Sequence, residues 1–487
     1  MPPTLRLFLL SDPRGALEPC GCVKDQPGGI DRLGALVATM KKGARDSLVL
    51  AAGSTFYADA VISPEKKVQE NTKSETMATS LGMLGLVALA PGDADLAQGP
   101  ARCNELAGQA KGKALAVARE GYTARSIIER GGLKIGLLGV TEDAGPTADA
   151  RNEKTRSELQ LLEKEGAQVK VVLAAVGRGE AKRIADRNPG ILAIVVGSSG
   201  PRKDGSPDAM PIEKVGETLI VELGHELTSV AVLDLSVRDG STQFQDATGE
   251  ENAKKADDLH RKESTVRGAI ADLERDKKVG AHTIEAKKKE LQEIERSLKA
   301  LTSSSAPRSG SYLRYGTEQV REGAGKDSAI EEALRAYYKR VNEFNKVNFA
   351  ERRPSKPGKG EASYVGVEAC TPCHQEERKV WDKTAHAKAY ATLSTQYKEF
   401  NLDCVSCHVT GYDKPGGSTV THVEKLKDVQ CETCHGPGSL HTANPKVAIP
   451  VAVPKPEMCV GCHHPPHVHS FDGAEKMNAI LGSGHGL

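Results

Sequence analysis

The sequence predicts a multidomain chain: an α/β sandwich, then a helical hairpin with coiled-coil rhythm, then a mostly α domain that cannot fill its own core. Three observations predict it. From residue 1 to about 248, short apolar runs alternate with helix-like stretches. A heptad-like rhythm among many charged residues follows. From Cys370 onward lie eight of the eleven cysteines, among many His, Gly and Pro.

The 487 residues correspond to roughly three domains, ample for a core without disulfide staples. With 66 basic and 65 acidic side chains the net charge is +1, which excludes a nucleic-acid binder working by bulk charge. The best apolar run, 81–90, is too short to span a bilayer. Residues 1–10 have no basic leader and no long apolar stretch, so they read as a first strand and not as a signal peptide.

In the first block, 1–248, the runs 5–10, 47–52, 86–90, 133–140, 169–176 and 191–196 are continuously apolar and read as buried strands. Residues 30–42, 93–111 and 149–166 read as helices between them. Gly131-Gly132, between 126–130 and 133–140, signals a hairpin. Residues 219–223 and 227–235 read as a closing antiparallel pair. The expected architecture is two sheets between helical layers.

The second block, 249–362, carries Leu259, Val266, Ile270 and Leu273 in one rhythm and Ile284, Leu291, Ile294, Leu298 and Leu301 in another. Two antiparallel helices joined near Gly280 are expected, a spacer or an arm through which the chain could oligomerise. Ser303-Ser304-Ser305-Ala306-Pro307 ends them. A third amphipathic helix places Ile330, Leu334, Tyr338, Val341 and Phe344 on one face, and 354–360 reads as a linker.

The third block, 363–487, has too few apolar runs for a core of its own, and its cysteine spacing says what fills it. The pattern CxxCH occurs four times: Cys370/Cys373/His374, Cys404/Cys407/His408, Cys431/Cys434/His435 and Cys459/Cys462/His463. Two thiols three residues apart reach the two vinyl groups of one porphyrin, and the following histidine stands beneath its iron. Zinc sites need paired CxxC knuckles but no histidine after each, and a thioredoxin-like pair would appear once. The reading is four c-type haems. Their faces supply the missing core, and their propionates make the loaded protein acidic despite the formal charge. Because covalent haem attachment takes place outside the cytoplasm, the protein is expected to be periplasmic or otherwise exported, its export signal removed or upstream.

Seven further histidines are available as sixth ligands: His386, His422, His441, His464, His467, His469 and His485. His386 and His441 are the leading candidates and His469 and His485 follow. His464 and His467 crowd the fourth motif.

Tyr364-Val365-Gly366, the stretch from Trp381 through Thr384-Ala385-His386 to Ala389, Cys407-His408-x-Thr410-Gly411-Tyr412 and Val429-Gln430-Cys431-Glu432-x-Cys434-His435-Gly436-Pro437-Gly438-Ser439-x-His441 resemble the tetrahaem cytochromes of the hydroxylamine-oxidation type. The resemblance covers about 110 residues. It implies closely stacked haem pairs that pass electrons, and one haem without a sixth ligand, its iron open.

The first block resembles the metallophosphoesterase domain of the periplasmic nucleotidases, an αββα sandwich. That family runs Asp-x-His, Gly-Asp, Gly-Asn-His, a later His and Gly-His-x-His, which hold two metals that activate water. Here the layout remains and the ligands do not. The counterparts are Asp12-Pro13-Arg14, Gly53-Ser54, Gly92-Asp93-Ala94, an alanine near the end of the run 171–175, and Gly197-Ser198-Ser199-Gly200. Asp12 and Asp93 are the remaining candidate ligands, and phosphoesterase activity is expected to be lost.

Pro19-Cys20-Gly21-Cys22 stands at the mouth of that former site. Cys20 and Cys22 fit a strained local disulfide, a bridge to Cys103, or soft ligands for one further metal ion with Asp12 nearby. Three functions remain in view. The first is an exported electron-transfer protein whose first domain docks a redox partner or binds a ligand. The second is a haem oxidoreductase acting on a small nitrogen or sulfur compound at an open iron. The third, disfavoured by the missing ligands, is a 5'-nucleotidase carrying cytochromes.

Overall fold

The computed structural model describes residues 2–19, 25–197, 209–275, 281–302, 306–464, 468, 471–482 and 485. The chain divides into two compact units, Met1–Ala333 and Leu334–Leu487.

The strands of the first unit, in chain order, are β1 (Leu5–Ser11), β2 (Ser47–Gly53), β3 (Leu86–Pro91), β4 (Lys113–Ala114), β5 (Arg125–Arg130), β6 (Leu133–Thr141) and β7 (Val169–Ala175). Then come β8 (Ala193–Gly197), β9 (Glu213–Val215), β10 (Thr218–Glu222), β11 (Ser229–Ser236), β12 (Gln245–Asp246) and β13 (Tyr312–Gln319). They form two sheets, ordered β12-β13-β11-β1-β2-β3-β4 and β5-β6-β7-β8-β10-β9. Alternate residues of each apolar run point to opposite faces. Leu5, Leu7, Leu9, Leu48 and Leu50 of one sheet meet Ile135, Leu137, Val171 and Val195 of the other in the central core. The intervening Leu138, Val140, Val172 and Ile194 face outward. They pack on Leu159 and Leu162 of helix 148–164 and on Ala181 and Ile184 of helix 178–187. That double burial is why the runs are continuously apolar, and it gives the expected sandwich.

The Gly131-Gly132 hairpin forms as expected: both residues have positive φ, 58° and 74°, and Arg130 pairs with Leu133 across the turn. Three expectations change. The strands near 219–223 and 227–235 do not pair with each other. Positive-φ Glu226 and Leu227 carry the chain across, so β10 lies parallel to β8 in one sheet and β11 antiparallel to β1 in the other. The helix expected over 93–111 is a 3-10 turn, Asp93–Leu96, and a separate helix beginning at Pro100, where Gly99 breaks the run with φ 84°. Strand β13 has no counterpart among the expected strands, yet its eight residues pair with all of β11.

The helices, in chain order, are α1 (Ile30–Lys41), α2 (Lys67–Leu84), α3 (Pro100–Gln109), α4 (Ala148–Lys164), α5 (Arg178–Arg187), α6 (Glu250–Arg275), α7 (Ala281–Thr302) and α8 (Ser328–Asn348). Helices α6 and α7 lie antiparallel: Arg267 pairs with Glu295, and Glu274, seven residues on, pairs with Lys288, seven residues back. Val266, Ile270 and Ile294 form their seam, with Leu259, Leu291 and Leu298 beside it. Gly280 and Ser303–Ser305 lie outside the described residues. The buried face of α8 is Ile330, Leu334, Tyr337, Val341 and Asn345, with Tyr338 half-buried and Phe344 exposed. Asn345 takes the inward place because its Nδ2 donates to the Phe400 carbonyl at 2.8 Å. No helix among the described residues is long and apolar enough to cross a membrane.

The second unit continues with the short helices α9 (Val367–Cys370), α10 (Gln375–Trp381), α11 (Ala389–Ser394), α12 (Cys431–His435), α13 (Ser439–Ala443) and α14 (Gly473–Met477). Its apolar clusters are small: Tyr390, Val405, Val409 and Val423 in one, Phe349, Leu402 and Val420 in another. So little buried apolar surface leaves 154 residues (334 to 487) short of a core, as the sequence implies.

Candidate haem-binding sites

Each CxxCH motif is a single helical turn. The His374 and His463 N–H groups donate to the carbonyls of Cys370 and Cys459, four residues back, at 3.1 and 2.9 Å. Such a turn brings both thiols and the histidine to one side. All eight motif cysteines are free of disulfides.

In the fold Cys373 is exposed, whereas the other seven motif cysteines are half-buried. The cause is local. Cys370 turns inward, its Sγ 3.9 Å from the Gly366 carbonyl and in contact with Cys431. Cys373 stands at the outer rim of the same turn, its N–H donating to the Cys370 carbonyl at 3.2 Å.

Buried polar side chains hold the motifs together. Glu432, within the third motif, is 1% exposed. Its carboxylate accepts from the N–H groups of Val365 (3.0 Å), Gly366 (2.7 Å) and Gly438 (2.7 Å). Gln430 accepts from Val367 N–H at 2.7 Å and donates to the carbonyls of Lys425 and Lys427. These bonds bind the strand entering the first motif to the third. Trp381 Nε1 donates to the Val429 carbonyl at 2.8 Å, which fixes the turn carrying His386.

Three imidazole pairs result. His374 faces His441 with ring centroids 6.4 Å apart, His463 faces His386 at 6.2 Å, and His435 faces His485 at 6.4 Å. An imidazole nitrogen binds a metal at about 2 Å and stands about 1 Å from its own ring centre, so two imidazoles across one ion have centroids about 6 Å apart. The observed pairs therefore fit bis-histidine ligation. Burial, with His463 nearby, lowers the pKa of His386, and burial lowers that of His463, favouring the neutral form a metal needs.

The thiols show which motifs are neighbours. Cys370 and Cys431 are hydrogen-bonded, which raises the pKa of the first and lowers that of the second. Cys407 and Cys462 form a second such pair, with Cys407 lowered and Cys462 raised. Cys434 feels Cys459. The first motif therefore neighbours the third, and the second neighbours the fourth.

His408 differs. Its Nδ1 is held by the Ala389 carbonyl at 2.6 Å, and among the described residues no imidazole faces it as the other three are faced. His422 is turned elsewhere, its Nδ1 3.1 Å from the Arg352 carbonyl and from Thr421 Oγ1. His467 and His469 lie outside the described residues. The cross-motif pairing had no sequence signal, because each partner comes from a segment remote from the motif it faces.

In the first unit, Cys20, Cys22 and Ser198–Gly200 lie outside the described residues. Asp12 is 1% exposed, accepts from Ser54 N–H at 3.0 Å, and lies 3.7 Å from His225 Nε2, a neighbour sequence reasoning missed. Asp93 is exposed, while Asp95 is fully buried and accepts from the Thr55 and Phe56 N–H groups. Gly53, Gly92 and Gly197 pack so closely that a Cβ on any of them would stand within 2.4 Å of Asp12, Ser54 or Ala52. Cys103 is a buried free thiol whose pKa burial raises. Among the described residues no cluster of three His, Cys, Asp or Glu could hold a metal there.

Residues 369–436 match the family described as cytochrome c554 and c-prime. A 94-residue stretch is 35% identical to cytochrome c-554 of Nitrosomonas europaea, covering 16% of this chain and 40% of that protein. The match supports a c-type cytochrome in the C-terminal part. Similar solved structures include a 5'-nucleotidase precursor from Thermus thermophilus, at 17% identity and TM-score 0.45 over 80% of this chain and 68% of that one. The sulfate thiohydrolase SoxB from the same organism is 18% identical, with TM-score 0.38 over 49% of this chain and 55% of that one.

Proposed function

We propose that the chain is an exported c-type cytochrome that binds four haems covalently and transfers electrons between redox partner proteins. The carrying observation is the set of three imidazole pairs, each joining a CxxCH histidine to a histidine from another segment at the spacing of one shared iron. When bound, a haem iron takes up and releases one electron at a time. The chain's part is to hold these groups rigidly and close together. Glu432 and Gln430 tie the first site to the third, and thiol contacts join the first to the third and the second to the fourth.

His408 favours a second reading. His408 Nδ1 is held by the Ala389 carbonyl, so its Nε2 is left for an iron, and if that iron took no sixth ligand the chain would be a haem oxidoreductase for a small nitrogen or sulfur compound. The α/β unit serves in docking or ligand binding.

The test is to produce the full chain in a compartment that attaches haem c and to count haems by mass and by pyridine haemochrome. Four per chain are expected, and three after the two cysteines of one motif are replaced by alanine. A chain without covalent haem overturns the proposal.

A further inference from the structure

We infer that Glu377 tunes the first attachment site, making the iron held by His374 and His441 the most reducing of the three paired irons. This rests on the haem reading above and adds a positioning role for a residue outside every motif. The four CxxCH histidines differ in what faces the ring on the side away from the iron. His408 and His435 meet peptide carbonyls, those of Ala389 at 2.6 Å and Val451 at 2.8 Å. His463 lies flat on the Phe471 ring, centroids 4.3 Å apart and planes 6° from parallel. His374 Nδ1 faces a carboxylate, Glu377 Oε1, at 3.7 Å.

The helix arranges this. His374 caps α10 and Glu377 stands three residues on, over the same face. On the other side of the site, His441 Nδ1 lies 2.7 Å from the Val447 carbonyl. The first pair therefore combines a carbonyl with a full negative charge. A carboxylate behind a ligating imidazole makes it more basic and favours the higher charge on the metal, here the oxidised iron. Asp428 lies near His408, but it accepts from Tyr390 N–H at 2.8 Å and belongs to the site without a facing imidazole. Glu377 is 27% exposed and 3.7 Å is charge contact and not a hydrogen bond, so the effect is modest.

The experiment is an optical and EPR redox titration of the full haem-loaded chain and of Glu377→Gln. One reduction step is expected to shift by about threefold to tenfold in its equilibrium, about 30 to 60 mV upward for one electron. The EPR signal of that same iron should change, while the other steps stay in place. Glu376→Gln is the control, since that neighbour pairs with Lys379 at 2.6 Å, and it should move nothing. Four haems with no raised step, or an equal shift from Glu376→Gln, overturn the inference. Fewer than four haems in the unaltered chain overturn the haem reading instead. If Glu377→Gln itself loads fewer than four, Glu377→Asp is read in its place. It draws the charge back by one carbon and should give a smaller rise, and no rise counts against the inference.

Discussion

Glu432 occupies a position where two oxygens serve three buried N–H groups, those of Val365, Gly366 and Gly438. Glu432→Ala leaves all three unpaired at about 1–3 kcal/mol each, so a loss of at least about 3 kcal/mol is expected in urea unfolding of the loaded protein. A loss under about 1 kcal/mol would show that water replaces the carboxylate. The residue stood in the motif read from the sequence, but its partners up to 67 positions away did not. The exposure of Cys373 beside an inward Cys370 was hidden in the same way, since it depends on Cys431 lying against one thiol and not the other. Asp95 is the buried carboxylate of the first unit. Burial pushes its carboxyl up to about 7 from an ordinary 3.8, against the pull of its backbone donors. The folded form then holds the proton more tightly than the unfolded chain, so stability falls as pH rises from about 4 to about 7 and levels off above. Asp95→Asn keeps an acceptor for Thr55 and Phe56, and it should flatten that slope in denaturation curves across the window. An unchanged slope would assign it to other groups.

At the scale of elements, periodicity was legible wherever burial is regular. The β runs are apolar on both faces because both faces are covered, and the α6–α7 seam repeats as a heptad. What escaped is where tertiary bonds outrank composition. Strand β13 has only four buried residues among eight, because its other face is half exposed, and it lies after the helical hairpin, far in sequence from the strand it pairs with. Asn345 displaces Phe344 from the inward face of α8 because a carbonyl waits for it. Ile294, 8% exposed in the α6–α7 seam, gives the test of that hairpin. Ile294→Asp should open it to protease between residues 250 and 302 while the haem spectrum stays unchanged. Undiminished resistance would mean that the hairpin holds by its ion pairs and not its seam.

For the whole molecule, the sequence placed an α/β sandwich before a cysteine-rich unit with too little core, and both are present. The pairing of the histidines was out of reach, because the ligands facing the motifs come from segments that only the fold brings near. At the strand ends of the first unit Asp12 lies against Ser54 and His225, with glycines packed close by. No hydrolysis of nucleotides or model phosphoesters is expected with added divalent metal, and clear turnover would show that the site still works. Electron transfer by this chain requires that the irons between the paired histidines be six-coordinate. The EPR spectrum of the oxidised, haem-loaded protein tests it most directly. At least three low-spin ferric centres per chain are expected, and fewer than three would contradict the histidine pairing, whereas a high-spin centre lost when Cys404 and Cys407 are replaced by alanine would favour the oxidoreductase.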